Sequence, residues 1–191
     1  SSTPVATLNL AASGTVNVKG NIVSGGGTTT INFNNGGTIN LQPAGDATPG
    51  SLTVGTVTGS GTIANASSVT ISNTLTPGAT LTAGTLTVGG NLTLPPGAAV
   101  NWTLSDTLTP GSGVNDQVTI TGDLNFDNNS ISFAPTASSL ANGSYRLFDY
   151  TGARNGELSL INSTRYPANL DYSTANQVNL VVSGGAAGNV R

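Results

Sequence analysis

The stretch GTIANASSVTISNTLTPGATLTAGTLTVGGNLTL, residues 61–94, returns an aliphatic side chain about every six positions: Ile63, Val69, Leu75, Leu81, Leu86 and Leu92. Three of these sit in Thr-Leu-Thr triplets, at Thr74–Thr76, Thr80–Thr82 and Thr85–Thr87, and Asn91-Leu92-Thr93 is a near copy. No charge interrupts the run between Asp46 and Asp106. One apolar side chain pointing inward between outward Thr residues describes a short strand with one buried face. A strand of this kind every six residues describes a chain wound into coils, each strand one wall. Stacked walls lie ~4.8 Å apart. Coils of ~20 residues would then give roughly nine coils, stacked to about 45 Å.

The texture extends outward from this segment. Short β-favouring runs bounded by Gly, Pro, Asn and Asp recur from end to end. Among them are Ala6–Leu10, Thr15–Val18, Thr30–Phe33, Thr38–Leu41, Ser51–Val54, Thr80–Thr82, Ala99–Leu104, Gln117–Ile120, Ser144–Tyr150 and Gln177–Val182. No window has helical periodicity. The expected fold is all-β, a right-handed parallel β-helix with a distinct C-terminal capping region.

Composition divides the chain. Residues 1–105 carry only Lys19 and Asp46 as charges, and Phe33 and Trp102 as aromatics. We expect an uncharged shaft over 1–105, charged and aromatic coils or a cap over 106–183, and a flexible Gly/Ala tail over 184–191. An end coil exposes its core and an unpaired edge, so a distinct cap is needed there. Ser1-Ser2-Thr3-Pro4 reads as a mature terminus left after processing.

Several function classes lose their chemistry here. The five basic residues form no cluster, which argues against nucleic acid as a partner. Apolar runs fall far short of the ~20 residues of a membrane helix. With no His and no Cys, neither a Ser-His-Asp triad nor a His/Cys zinc site can form. Carboxylates for a glycosidase pair exist, but no spacing is diagnostic, and solvated surface charge explains them. The expectation is a protein that is not an enzyme.

Some residues invite sharper readings. Asp123, Asn125 and Asp127 alternate, so three oxygens would face one side of a strand and offer a Ca2+ site. A polar strand face before an Asn-Asn turn explains them equally. Outward Thr pairs one coil apart, such as Thr74/Thr76 and Asn91/Thr93, would align into an ice-binding ladder. Lys19 stands alone, either facing solvent or donating to an isopeptide cross-link. Trp102, Phe126, Phe133, Tyr145, Phe148 and Tyr150 fit core filling of wider coils, or alternatively an exposed aromatic contact surface. Val5-Ala-Thr-Leu-Asn-Leu10 is a bare β-favouring edge without Lys, Pro or bulge. We therefore place candidate self-assembly contacts at Val5, Leu8 and Leu10 on one end, and at Tyr145, Phe148 and Tyr150 on the other.

Four segments in order carry a family resemblance. They are Gly84-Thr-Leu-Thr-Val-Gly-Gly-Asn-Leu-Thr-Leu-Pro-Pro-Gly97, Val100-Asn-Trp-Thr-Leu104, Asp116-Gln-Val-Thr-Ile-Thr-Gly-Asp-Leu-Asn-Phe126 and Gly143-Ser-Tyr-Arg-Leu-Phe-Asp-Tyr-Thr-Gly152. The stretch resembles the C-terminal passenger region of bacterial autotransporters and their passenger-associated repeat. The resemblance implies a right-handed parallel β-helix on, or released from, a bacterial surface. Members act as adhesins, matrix components, toxins or hydrolases, so the fold does not fix the function. Nothing resembles the linker helix or the ~10-residue strands of a membrane barrel. The leading expectation is a secreted bacterial structural protein, a fibre or matrix subunit stacking head to tail on copies of itself. The alternatives are a cleaved passenger acting as a monomeric adhesin on a host or bacterial surface, and a polysaccharide-active or ice-binding β-helix.

Overall fold

The computed structural model describes residues 5–24, 28–79, 81–137, 139–161 and 165–184. Among them are seventeen strands and no helix. The strands fall on three ladders, A, B and C, which the chain visits in turn. β1 (Val5–Leu10), β2 (Thr15–Asn17) and β3 (Ile22–Val23) start A, B and C. β4 (Thr28–Asn40) lies on A and then B, bending where its register shifts between Phe33 and Gly37. β5 (Ser51–Ala64) crosses C, A and B, and β6 (Ser68–Thr76) crosses C and A. β7 (Thr85–Val88), β8 (Asn91–Thr93) and β9 (Ala99–Leu104) continue B, C and A. β10 (Gln117–Ile120), β11 (Leu124–Asn125) and β12 (Asn129–Pro135) add the next rungs. β13 (Gly143–Tyr150), β14 (Arg154–Asn155) and β15 (Leu158–Leu160) follow. Every pairing up to this point is parallel. β16 (Ala168–Asp171) and β17 (Gln177–Val182) end the chain with antiparallel pairings, β17 lying between β13 and β16.

Register explains the six-residue return. Ile63 lies on B, Val69 on C and Leu75 on A, then Leu86 on B and Leu92 on C. Stacked on ladder A, Leu8, Ile31, Val57, Leu75, Val100, Ile131 and Leu160 form one column. The three ladders turn these columns toward one shared core. Each fully buried Leu, Ile or Val contributes about 1.5–3 kcal/mol. The chain needs between 17 residues (Leu52 to Val69) and 32 (Leu92 to Leu124) to return to a ladder. Turns therefore number fewer than a 20-residue repeat predicts. Ladder A has seven rungs, spanning about 30 Å at the usual strand spacing.

Two expectations from the repeat are corrected. Leu81 is 60% exposed with φ of 57°, beyond the Pro77-Gly78 turn, where Ala79 and Thr82 form an antiparallel bridge. The second triplet is thus a turn, not a strand; its Thr80 lies outside the described residues. Thr74 pairs with Ala99 on A, whereas Asn91 pairs with Ser68 on C, so those two triplets do not align. The aligned Thr rows are others: Thr7, Thr30, Thr56 and Thr74 on A, and Thr15, Thr38, Thr62, Thr87 and Thr119 on B. β-Branched side chains stacked along a pleated face are favourable there.

Asn side chains bridge rungs on the outside. Asn32 donates to Asn9 (3.2 Å), Asn40 to Asn17 (2.9 Å), Asn65 to Asn40 (3.0 Å) and Asn155 to Asn125 (2.8 Å). In every case the later rung donates Nδ2 and the earlier one accepts on Oδ1.

Glycine is required where Phe33 fills the core. A Cβ on Gly59, whose φ is 90°, would lie 1.9 Å from the Phe33 carbonyl oxygen, and one on Gly61 would lie 2.2 Å from the Phe33 ring. The adjoining rung can seat this ring only against bare backbone.

Charge density changes near residue 105, but the ladders do not. β9 to β12 and β7 to β10 pair in parallel across that boundary, and the core is continuous. Only β16 and β17 depart from the parallel pattern. Apart from Gly184, the expected tail lies outside the described residues.

Candidate functional site: the N-terminal strand edge

Among the described residues, β1, β2 and β3 each pair on one side only, with β4, β4 and β5. All three ladders thus end in a free row of backbone N–H and C=O groups, a template for a further strand. Apolar side chains are exposed at this end: Val5 is 71% exposed, Leu8 37%, Val16 36% and Val23 67%. Leu10 is buried, stacked over Phe33. Between β1, β3, β4 and β5 opens a cleft of about 220 Å³, lined mainly by Leu8, Ile22, Val23, Ile31 and Val54 with Thr residues between them. The cleft is the open end of the core.

The edge carries no net charge. Lys19 and Asp46, the two charges of the first 105 residues, meet across adjacent turns at 3.0 Å. Lys19 is therefore neither isolated nor merely solvent-facing. Its exposed head limits the pair to about 0–1 kcal/mol. The Asp46 Oδ2 is buried without a hydrogen-bond partner among the described residues.

The opposite end is stepped. Among the described residues β14 and β15 keep free edges, but β17 covers β13. β16 is antiparallel to β17 and so runs in the direction of β13. Here the aromatic contact reading is corrected. Tyr145 and Phe148 are buried, and Tyr150 is half-buried against the same core. Phe148 packs on Trp102 with centroids 4.8 Å apart and on Phe126 at 5.3 Å. The Tyr145 hydroxyl donates to the Ser105 carbonyl (2.9 Å) and accepts from the Ala141 N–H (2.8 Å). Burial pushes this phenol above its ordinary range. Aromatic rings fill the core of this half.

The Asp123, Asn125 and Asp127 set does not converge as a strand face. β11 is only two residues long, and Asp127 is exposed beyond it. Asp123 Oδ1 accepts from the Ala153 N–H (2.8 Å) and Asn125 Oδ1 from Asn155 (2.8 Å), so both oxygens bind the next rung. No group of three His, Cys, Asp or Glu side chains suited to a metal occurs among the described residues.

Sequence reasoning gave Asp116 no structural role. It is buried, with Oδ1 accepting from the Gly84 N–H and Oδ2 from the Thr103 N–H, both at 2.7 Å. Burial pushes its carboxyl up to about 6, against the bonds from Thr103 and Gly84 that pull it down. It staples ladder A to the start of β7. No local signal marked it, since Asp116 stands between Asn115 and Gln117 in a polar stretch.

Comparison with known proteins returns no matching family model, no matching curated protein and no matching solved structure. The functional reading rests on the geometry above.

Proposed function

We propose that this chain is a structural β-solenoid of a bacterial surface or extracellular matrix, secreted and non-enzymatic, that associates with copies of itself through its N-terminal strand edge. The carrying observation is that, among the described residues, β1, β2 and β3 are all unpaired on one side while Val5, Leu8, Val16 and Val23 stand exposed there. A right-handed winding of the three ladders follows the hand adopted by about 98% of parallel crossover connections. That is the hand implied by the autotransporter passenger resemblance.

Head-to-tail stacking into a fibre would use the free edges of β14 and β15, with β16 offering a third, offset edge beyond β17. The alternative is a monomeric surface adhesin. Sedimentation and negative-stain microscopy of the purified chain test the proposal. Concentration-dependent association is the expected result; monomers at the highest attainable concentration would overturn self-assembly in favour of the adhesin.

A further inference from the structure

We infer that two copies of this chain join N-terminal edge to N-terminal edge about a twofold axis, with β1 antiparallel to its own copy and centred on Leu8. The inference rests on the self-association proposed above and names its geometry. Four observations carry it.

The first is register. A strand with one inward face pairs only in registers that keep inward residues opposite inward ones. On β1 the inward residues are Ala6, Leu8 and Leu10, stacked on Thr29, Ile31 and Phe33. Centring on Leu8 sets Leu8 against Leu8 and Ala6 against Leu10, using the full strand. Outside, it sets Thr7 against Asn9.

The second is hydrogen bonding. Asn9 Oδ1 already accepts from Asn32, which leaves its Nδ2 without a partner among the described residues. In the Leu8-centred register this donor meets the Thr7 hydroxyl oxygen of the other copy, twice by symmetry. Moving the centre to Asn9 would set donor against donor, and moving it to Thr7 would set Asn9 against Val5.

The third is the shape of the end. A twofold axis through ladder A exchanges B with C, so β2 of one copy meets β3 of the other. Val16, stacked inward on Ile39, then faces Ile22, stacked inward on Leu52, and one isologous contact satisfies all three free edges. Lys19, between β2 and β3, is drawn toward Asp46 on the next turn and away from its symmetry copy.

The fourth is the mismatch of the alternative. Thr7 heads the outward row Thr7, Thr30, Thr56, Thr74, Ala99, Ser130 and Ser159. Head-to-tail stacking would continue this row, and the next position after Ser159 on the adjacent row, where Asn9 would land, is the exposed Ile161. Ile161 accepts no hydrogen bond through its side chain, and ladder B is covered by β17.

The chain has no cysteine, so introduced thiols report the contact without background. Directly opposed Cα atoms of an antiparallel pair lie ~4.5–5.5 Å apart, within the range a disulfide spans. Oxidised where the wild-type chain associates, Leu8→Cys is expected to convert most of the protein to a covalent dimer. Thr7→Cys combined with Asn9→Cys is expected to do the same, and neither alone. A heterodimer from a mixture of Thr7→Cys and Ser159→Cys would overturn the twofold joint and establish head-to-tail stacking. Association by sedimentation without any of these cross-links would overturn it too. A chain monomeric at every concentration would remove the underlying reading instead.

Discussion

Trp102 and Asp116 hold each other in place: the indole Nε1–H donates to the Asp116 carbonyl at 2.8 Å, beside the Thr103 N–H that binds the Asp116 carboxylate. The largest side chain of the core is thereby tied to its buried carboxylate. Replacing Asp116 with Asn sets an amide N–H against one of two backbone donors. The loss of a charged, buried acceptor costs about 2–3 kcal/mol. A lowered urea midpoint with an unchanged slope is the expected readout.

The same residue sets a pH dependence. Its carboxyl stands at about 6 in the folded chain, against an ordinary 3.8. A raised folded value means that the native state binds the proton more tightly, so this contribution is complete below 3.8 and lost as pH rises through 6. Between pH 7 and pH 4.5 it adds about 2 kcal/mol of stability. The difference between wild type and Asp116→Asn, measured across that window, isolates it. A difference that does not vary with pH would refute the assignment.

Phe148 separates core from contact surface. Fully buried between Trp102 and Phe126, it is expected to cost about 3–5 kcal/mol when cut to Ala. A contact residue would change association and leave the melting temperature alone.

Two glycines give an internal comparison. Gly59→Ala meets both a φ of 90° and the Phe33 carbonyl oxygen, and more than about 2 kcal/mol of destabilisation is expected. Gly36→Ala has a φ of 108° but open space around its Cβ. Only backbone strain of about 1–2 kcal/mol remains there. Equal losses in the two variants would refute the steric account of Phe33.

Val5→Lys tests the edge. Its exposure predicts a stability change within about 0.5 kcal/mol. A Lys on a free strand edge opposes pairing with another chain, so sedimentation should show weaker association at the same melting temperature.

Much of this fold is written locally. A strand's inward face is decided by alternation, so Ile63, Val69, Leu75, Leu86 and Leu92 were readable as core from their neighbours alone. Leu81 has the same neighbours and lies outside, because Pro77-Gly78 turns the chain before it. The free N-terminal edge was readable as well, since Val5–Leu10 lacks any edge protection. At the opposite end core filling and contact surface were both open for Tyr145 and Phe148, and burial decided for the core, with Phe148 against Trp102 and Phe126.

The sequence by itself determined the β class, the inward columns and the uncharged N-terminal half, because period, propensity and charge act within a few residues. Only the tertiary structure decided which positions stack. The spacing between ladder returns varies from 17 to 32 residues, and register is set by core packing over that distance. That is why Lys19 finds Asp46, why Asp116 reaches both Gly84 and Thr103, and why the Thr triplets that look paired in sequence lie on different ladders.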